Sequence, residues 1–89
     1  MNKHQSHPAI IARLKRAQGH LGSVITMFAE ERSCLDLAQQ LHAVENAVAK
    51  AKRELIHDHI EHCLGEDAGG EAVDAKSALK EFKALSKYL

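Results

Sequence analysis

Histidine and cysteine side chains are concentrated toward the end of one long stretch of the chain that contains no helix breaker. The string HDHIEHC occupies residues 57–63 and places His59 and Cys63 four positions apart. Residues four apart share one face of an α-helix, so these two side chains can bind a single metal ion. The same spacing also fits a half-buried cysteine beside a surface histidine, so this pair alone leaves both interpretations open.

Cys34 is the other of the two cysteines, and it lies 25 residues before His59. If one helix contains both residues, a rise of ~1.5 Å per residue separates them by ~37 Å within one chain. In an antiparallel dimer of long helices, the start of one helix lies beside the end of its partner. Cys34 of one chain would then meet His59 and Cys63 of the other. Two thiolates and an imidazole suit Cu(I), Zn(II) or Ni(II) and poorly suit Mg(II) or Ca(II).

Three helices would position these side chains. Apolar residues recur at three- and four-residue spacing in three segments, and Pro8, Ser33 and Gly65 are typical helix-boundary residues. The pattern predicts helices over about 8–29, 34–64 and 74–88, after a flexible tail at 1–7. No segment alternates like a β-strand, so we expect a single all-α domain, 1–89, with a three-helix protomer. A second helix of about 45 Å exceeds the width of so small a globule, which favours pairing with the same helix of a second chain.

The charges of the chain are balanced in total but segregated along it. The chain contains twelve Lys and Arg residues and twelve Asp and Glu residues. The resulting net charge of zero argues against a general, charge-driven binder of nucleic acid or membrane. No apolar run approaches a membrane span or a signal peptide, so we expect a cytoplasmic protein. An acidic block occupies 58–74. Six of the twelve basic residues form two clusters that are either solvated helix faces or phosphate-binding surfaces: Arg13, Lys15 and Arg16 in the first, and Lys50, Lys52 and Arg53 in the second.

The chain resembles the CsoR/RcnR family of metal-sensing bacterial repressors from Arg13 through Leu64. The matching stretches are RLKRAQGHL at 13–21, Cys34 with QQLHAV at 39–44, and LIHDHIEHC at 55–63. The resemblance implies an all-helical, antiparallel dimeric bundle that assembles as a dimer of dimers, a homotetramer. It also implies binding of double-stranded operator DNA by the metal-free protein, and release on metal binding, which turns on metal efflux or resistance genes.

The resemblance assigns roles to particular residues. Cys34, His59 and Cys63 match the family's metal ligands, in the spacing of its Cu(I) sensors. Arg13 and Lys50 fall where the family uses basic residues for DNA. Ser33 stands where the copper sensors have a tyrosine, and Glu81 is the candidate for their third-helix glutamate that orients the histidine.

Other effectors stay open within this family. Nickel and cobalt sensors recruit an N-terminal nitrogen ligand, and His4 or His7 could supply one for Ni(II) or Co(II); the alternative for both is a disordered tail. Persulfide sensors share the cysteine spacing without needing the histidine. Formaldehyde sensors pair the cysteine with an N-terminal amine at a proline, which Asn2 does not provide.

Two function classes outside a repressor have distinct signatures. A metal storage or chaperone protein would use the same ligands without sequence-selective DNA binding. An enzyme is disfavoured, because no cleft-forming α/β architecture is expected and the cysteines and the histidine are accounted for as ligands. A thiol-redox sensor that joins Cys34 to Cys63 would survive His59→Ala, whereas a metal sensor would not.

Overall fold

The computed structural model describes residues 7–61 and 75–89, which form three α-helices and no β-strand. Helix α1 is His7–Ala29, α2 is Cys34–Glu61 and α3 is Ala75–Ser86. The prediction of an all-α, three-helix fold is confirmed. His7, predicted in the tail, is instead the first residue of α1, and α3 ends at Ser86. The predicted last turn of α2 at 62–64 and the start of α3 at Asp74 lie outside the described residues.

The helices of the described residues are amphipathic rather than uniformly apolar. None of them combines the length and the apolar character needed to span a membrane. Each helix must therefore cover one apolar stripe, either within the chain or against another molecule.

A tight turn with defined hydrogen bonds joins α1 to α2. The amide of Arg32 donates to the carbonyl of Met27 at 3.2 Å, and the amide of Glu31 donates to the carbonyl of Phe28 at 3.1 Å. This pair of bonds is the Schellman pattern of helix C-termini, and Glu31 occupies its left-handed position with φ 59°. Glycine usually fills that position, so Glu31 is held there by the turn against its own preference.

Ser33 caps the start of α2. Its Oγ accepts a hydrogen bond from the amide of Asp36 at 3.1 Å, which satisfies one of the amides that a helix leaves unpaired in its first turn. The capping sequence Ser33 to Asp36 therefore has the local structure that its residue types predict.

Two compact units make up the chain: Pro8–Ala51, and Lys52–Leu89 together with Met1–His7. The first unit is a helical hairpin of α1 and the first part of α2. Its buried side chains recur every seven residues on both helices: Ile10, Ala17 and Val24 on α1, and Leu37, Val44 and Ala51 on α2. The short turn makes the helices antiparallel neighbours, and these two rows form the hairpin core.

A hydrogen bond between the helices fixes the register of the hairpin. Nε2–H of His20 on α1 donates to Oε1 of Gln40 on α2 at 2.7 Å, in a partly buried position. Residues whose numbers add up to about 60 therefore lie level with each other across the hairpin.

In the second unit, α3 ends in a turn in which the amide of Tyr88 donates to the carbonyl of Leu85 at 2.9 Å.

Candidate metal centre

The side chain of His59 lies against α3. Its Nε2 is 3.3 Å from Oε1 of Glu81, and the His59 side chain is 25% exposed. Both residues belong to the unit that contains α3. A carboxylate on one ring nitrogen fixes the orientation and tautomer of an imidazole, which leaves the other nitrogen as the electron-pair donor. The structure thus brings together the two residues that the sequence assigned to a ligand and its orienting group.

A second histidine lies beside the residue that precedes His59. His7 begins α1, and its Nε2 is 3.7 Å from Oδ2 of Asp58. The Asp58 side chain is 18% exposed and that of His7 is 43% exposed. Sequence reasoning missed this contact, because 51 positions separate the two residues and no local pattern joins them. Asp58, next to His59 in the sequence, was the only sequence feature that pointed to this contact.

The remaining candidate ligands lie apart from this pair or outside the described residues. Cys34 is exposed, with a free thiol, at the first position of α2. Cys63 and His4 fall outside the described residues. Within 7–61 and 75–89, no three His, Cys, Asp or Glu side chains form a group that could hold a metal ion.

Three basic residues of the hairpin lie on its polar side. At ~100° per residue, Arg13 and Arg16 on α1 and Lys50 on α2 are rotated from the buried rows in the same sense as His20 and Gln40. The register of the hairpin brings Arg13 and Lys50 within about one helical turn of each other along its length. Arg13 is half-buried, whereas Arg16 and Lys50 are exposed.

The other predicted DNA-binding residues do not all share that side. Lys15 is exposed and is rotated away from Arg13 by about 200° around α1. Lys52 and Arg53 are exposed in the unit that begins at Lys52. The hairpin by itself therefore groups three of the six predicted residues.

The model of a family described as metal-sensitive transcriptional repressors matches residues 6–88. The copper-sensing transcriptional repressor CsoR of Mycobacterium ulcerans is 36% identical over 75 residues, which are 75% of this chain and 64% of that protein. The CsoR of Mycobacterium tuberculosis strain H37Rv is 34% identical over 56 residues, 63% of this chain and 47% of that protein. The matched region thus spans about half to two thirds of these mycobacterial relatives.

Two further similarities extend over the whole chain. The copper-sensing transcriptional repressor CsoR of Bacillus subtilis strain 168 is 30% identical over 100 residues, covering 98% of this chain and 99% of that protein. The solved structure of the nickel-responsive transcriptional regulator InrS superimposes with a TM-score of 0.82 at 28% identity, covering 100% of this chain and 99% of that one. Similar proteins therefore include both copper and nickel sensors.

Proposed function

The chain belongs to the metal-sensitive transcriptional repressor family, and we propose that it binds operator DNA when metal-free and releases it on binding Cu(I). Release would switch on genes for metal efflux or resistance. Membership of a repressor family implies DNA binding and makes the protein a regulator rather than an enzyme. The copper-sensing relatives and the two-cysteine, one-histidine donor set support Cu(I) as the effector.

The contact between His59 and Glu81 is the observation that carries this proposal. Glu81 holds Nε2 of His59, so Nδ1 is the nitrogen that would bind the ion, together with the thiolate of Cys63, which follows four positions later in the sequence. Such a soft donor set fits Cu(I), with Zn(II) a possible competitor.

Cys34 completes the proposed site from a second subunit. Cys34 and His59 stand at opposite ends of the same continuous helix, α2, so one chain does not supply both to one ion. The hairpin also carries an exposed apolar face that suits a second copy of the chain. We therefore expect a homodimer whose sites each combine Cys34 of one chain with His59 and Cys63 of the other, assembling to a homotetramer.

The basic side of the hairpin is the proposed DNA surface. One side of the hairpin carries Arg13, Arg16 and Lys50. Further contacts would come, once several subunits assemble, from Lys15, Lys52 and Arg53. Their charges would act mainly on phosphates. A ligand that joins two subunits at Cys34 and His59 changes the packing between them, and a coupling of about 1–3 kcal/mol would lower DNA affinity by about 5- to 150-fold.

A nickel or cobalt sensor is the second candidate. The position of His7 beside Asp58 favours it, because that contact brings an imidazole from the start of α1 to the residue adjoining His59. With His7 or His4 added, the donors would become two nitrogens and two thiolates, a set that suits square-planar Ni(II). The similarity to a nickel-responsive regulator points the same way.

Operator binding under anaerobic conditions, followed by fluorescence anisotropy, tests both candidates. A duplex enriched from a random-sequence pool by the metal-free protein serves as the probe, and Cu(I), Ni(II) and Co(II) are added in separate titrations. Release by Cu(I) alone supports the first proposal, whereas release by Ni(II) or Co(II) that is lost in His7→Ala or His4→Ala supports the second. Failure to enrich any duplex would contradict a repressor and favour metal storage.

Single substitutions locate the site in the same assay. Cys34→Ala and His59→Ala should bind the duplex as the wild type does and lose metal-driven release. His42→Ala is the matched control, because His42 is also a histidine of α2 near a glutamate, with Nδ1 3.8 Å from Glu45, but is strongly exposed. Normal metal-driven release from Cys34→Ala would rule out the bridging site. If no metal releases the wild type, a thiol-redox, persulfide or aldehyde effector is indicated, and a thiol-redox sensor would respond to an oxidant in His59→Ala as in the wild type.

A further inference from the structure

Three lysines follow one edge of α3. Lys76, Lys80 and Lys83 are spaced by four and three residues, so they lie within about 60° of one another around the helix axis. All three are exposed, and their side chains line one surface depression of about 420 Å³ together with Ser77 and Leu79. Lys87 follows directly after the helix and is also exposed. The segment 75–89 contains these four lysines and a single acidic residue, Glu81.

The acidic residue lies on the other side of the same helix. Glu81 is rotated by about 160° from Lys83, about 140° from Lys76 and about 100° from Lys80, and its carboxylate lies against His59. Leu79 and Phe82, 55% and 38% exposed, lie between these two edges. On helix α3, one edge therefore carries Glu81 in contact with His59, and another edge carries the three lysines.

We propose that the lysine edge of α3, formed by Lys76, Lys80 and Lys83, binds the phosphodiester backbone of the DNA that the protein occupies. This inference rests on the proposed DNA-binding function and adds a surface to it. It assigns to α3 a contact additional to those of Arg13, Arg16 and Lys50 on the hairpin.

The dimensions of the lysine edge fit a nucleic acid backbone. Lys76 and Lys83 are seven residues apart, about 10 Å along the helix axis. One DNA strand carries a phosphate about every 3.4 Å along the duplex axis, so an edge of this length can contact more than one phosphate. Lysine is a flexible point charge that suits phosphate contacts without reading base sequence.

An anionic lipid surface fits this helix less well. Membrane-surface helices insert a continuous apolar face between basic flanks. In α3, one flank of the apolar face is Glu81, whose carboxylate is engaged with His59, so insertion would bring an acidic group and its partner histidine to the membrane. The lysine edge therefore suits a polyanion such as DNA, whose binding does not involve the apolar surface of the helix.

The salt dependence of DNA binding tests the proposal. The metal-free full-length protein, its Lys76→Gln/Lys80→Gln/Lys83→Gln variant and the matching triple arginine variant are titrated with the selected duplex between 50 and 200 mM salt. The slope of log affinity against log salt is negative, and its magnitude should fall by about 0.9 for each phosphate contact that the glutamine variant loses. The affinity difference from wild type should shrink as salt rises, and the arginine variant should keep the wild-type slope. Circular dichroism and thermal unfolding report whether each variant is folded.

The outcomes separate this inference from the function on which it rests. If the wild type selects no duplex, the repressor proposal fails. If it selects one and the folded glutamine variant binds with an unchanged slope, the lysine edge is not a DNA contact and the inference is overturned. An unchanged slope with loss of binding to vesicles containing 30% phosphatidylserine would assign the edge to lipid. An unchanged slope with a lowered melting temperature would assign the lysines to the stability of the fold.

Discussion

The two flanks of the hairpin core differ sharply, although they border the same buried rows. Residues four positions after the buried ones are exposed and apolar: Leu14, Leu21 and Phe28 on α1, and Leu41 and Val48 on α2. Residues three positions after the buried ones are half-buried and mostly polar: Arg13, His20 and Met27 on α1, and Gln40 and Ala47 on α2. Because the helices are antiparallel, equivalent flanks of both helices fall on the same side of the hairpin.

The two flanks differ in how far a single chain covers their side chains. On the polar flank, the His20–Gln40 bond closes the hairpin within the chain. On the apolar flank, large side chains remain 42–55% exposed in the single chain. A contiguous exposed apolar surface marks a site of association, whereas the basic residues of the opposite flank suit DNA. We therefore expect the apolar flank to serve assembly and the polar flank to serve nucleic acid binding.

The buried row should carry the largest energetic effect. Leu37→Ala removes a side chain that is 8% exposed and should lower the free energy of unfolding by about 2–5 kcal/mol, since it leaves a cavity in the hairpin core. Leu35→Ala, at a leucine of the same helix that is 67% exposed, should change it by less than about 0.5 kcal/mol. Urea unfolding followed by circular dichroism measures both. Equal losses would contradict the assignment of the core.

The apolar flank should govern association rather than folding of the hairpin. Leu41→Lys places a charge where we expect a second chain and should weaken self-association by at least the ~1.5–3 kcal/mol that a buried leucine contributes. Sedimentation equilibrium should show the mass shift toward a single chain while the helical content is kept. Leu35→Lys is the control and should leave the mass unchanged. An unaltered mass for Leu41→Lys would place the subunit interface elsewhere.

The polar flank should show the smallest effect. Gln40→Ala removes the acceptor of the His20 hydrogen bond and should cost about 0.5–1.5 kcal/mol of unfolding free energy. The exposed neighbour Gln39 provides the comparison, because Gln39→Ala removes an identical side chain that makes no contact across the hairpin among the described hydrogen bonds. Thermal unfolding of the two variants side by side measures the difference. If both variants unfold alike, the bond does not stabilise the hairpin.

Periodicity predicted the fold more completely than it predicted which apolar residues are covered. The three-helix class follows from spacing, Pro8 and the capping Ser33, all of which act locally. The three- and four-residue spacing of Leu37, Leu41, Val44 and Val48 puts them near one stripe of α2. The structure divides it into a buried and an exposed row, and the angle between the rows is too small for sequence spacing to separate them.

The candidate site was predictable where the family resemblance links its residues, and not where only the fold brings distant residues together. His59 and Glu81 were linked through the family resemblance, and the structure places them 3.3 Å apart. The approach of His7 to Asp58 depends on where α1 begins, which the sequence placed one residue too late. The lysine edge of α3 had a signal in its four- and three-residue spacing, but its three lysines are spread over eight positions of the sequence, whereas each of the two basic clusters falls within four.

The turn at Glu31 has a consequence for the order in which the hairpin forms. Its two Schellman hydrogen bonds and the Ser33 cap involve only residues 27–36, so they can form before any distant contact. The first core residues on either side of it, Val24 and Leu37, are only 13 positions apart, so the entropy cost of closing that loop is small. Pairing can then proceed outward, one heptad at a time, toward Ile10 and Ala51. We therefore expect the hairpin to fold rapidly from its turn, while the rest of α2 is still emerging from the ribosome.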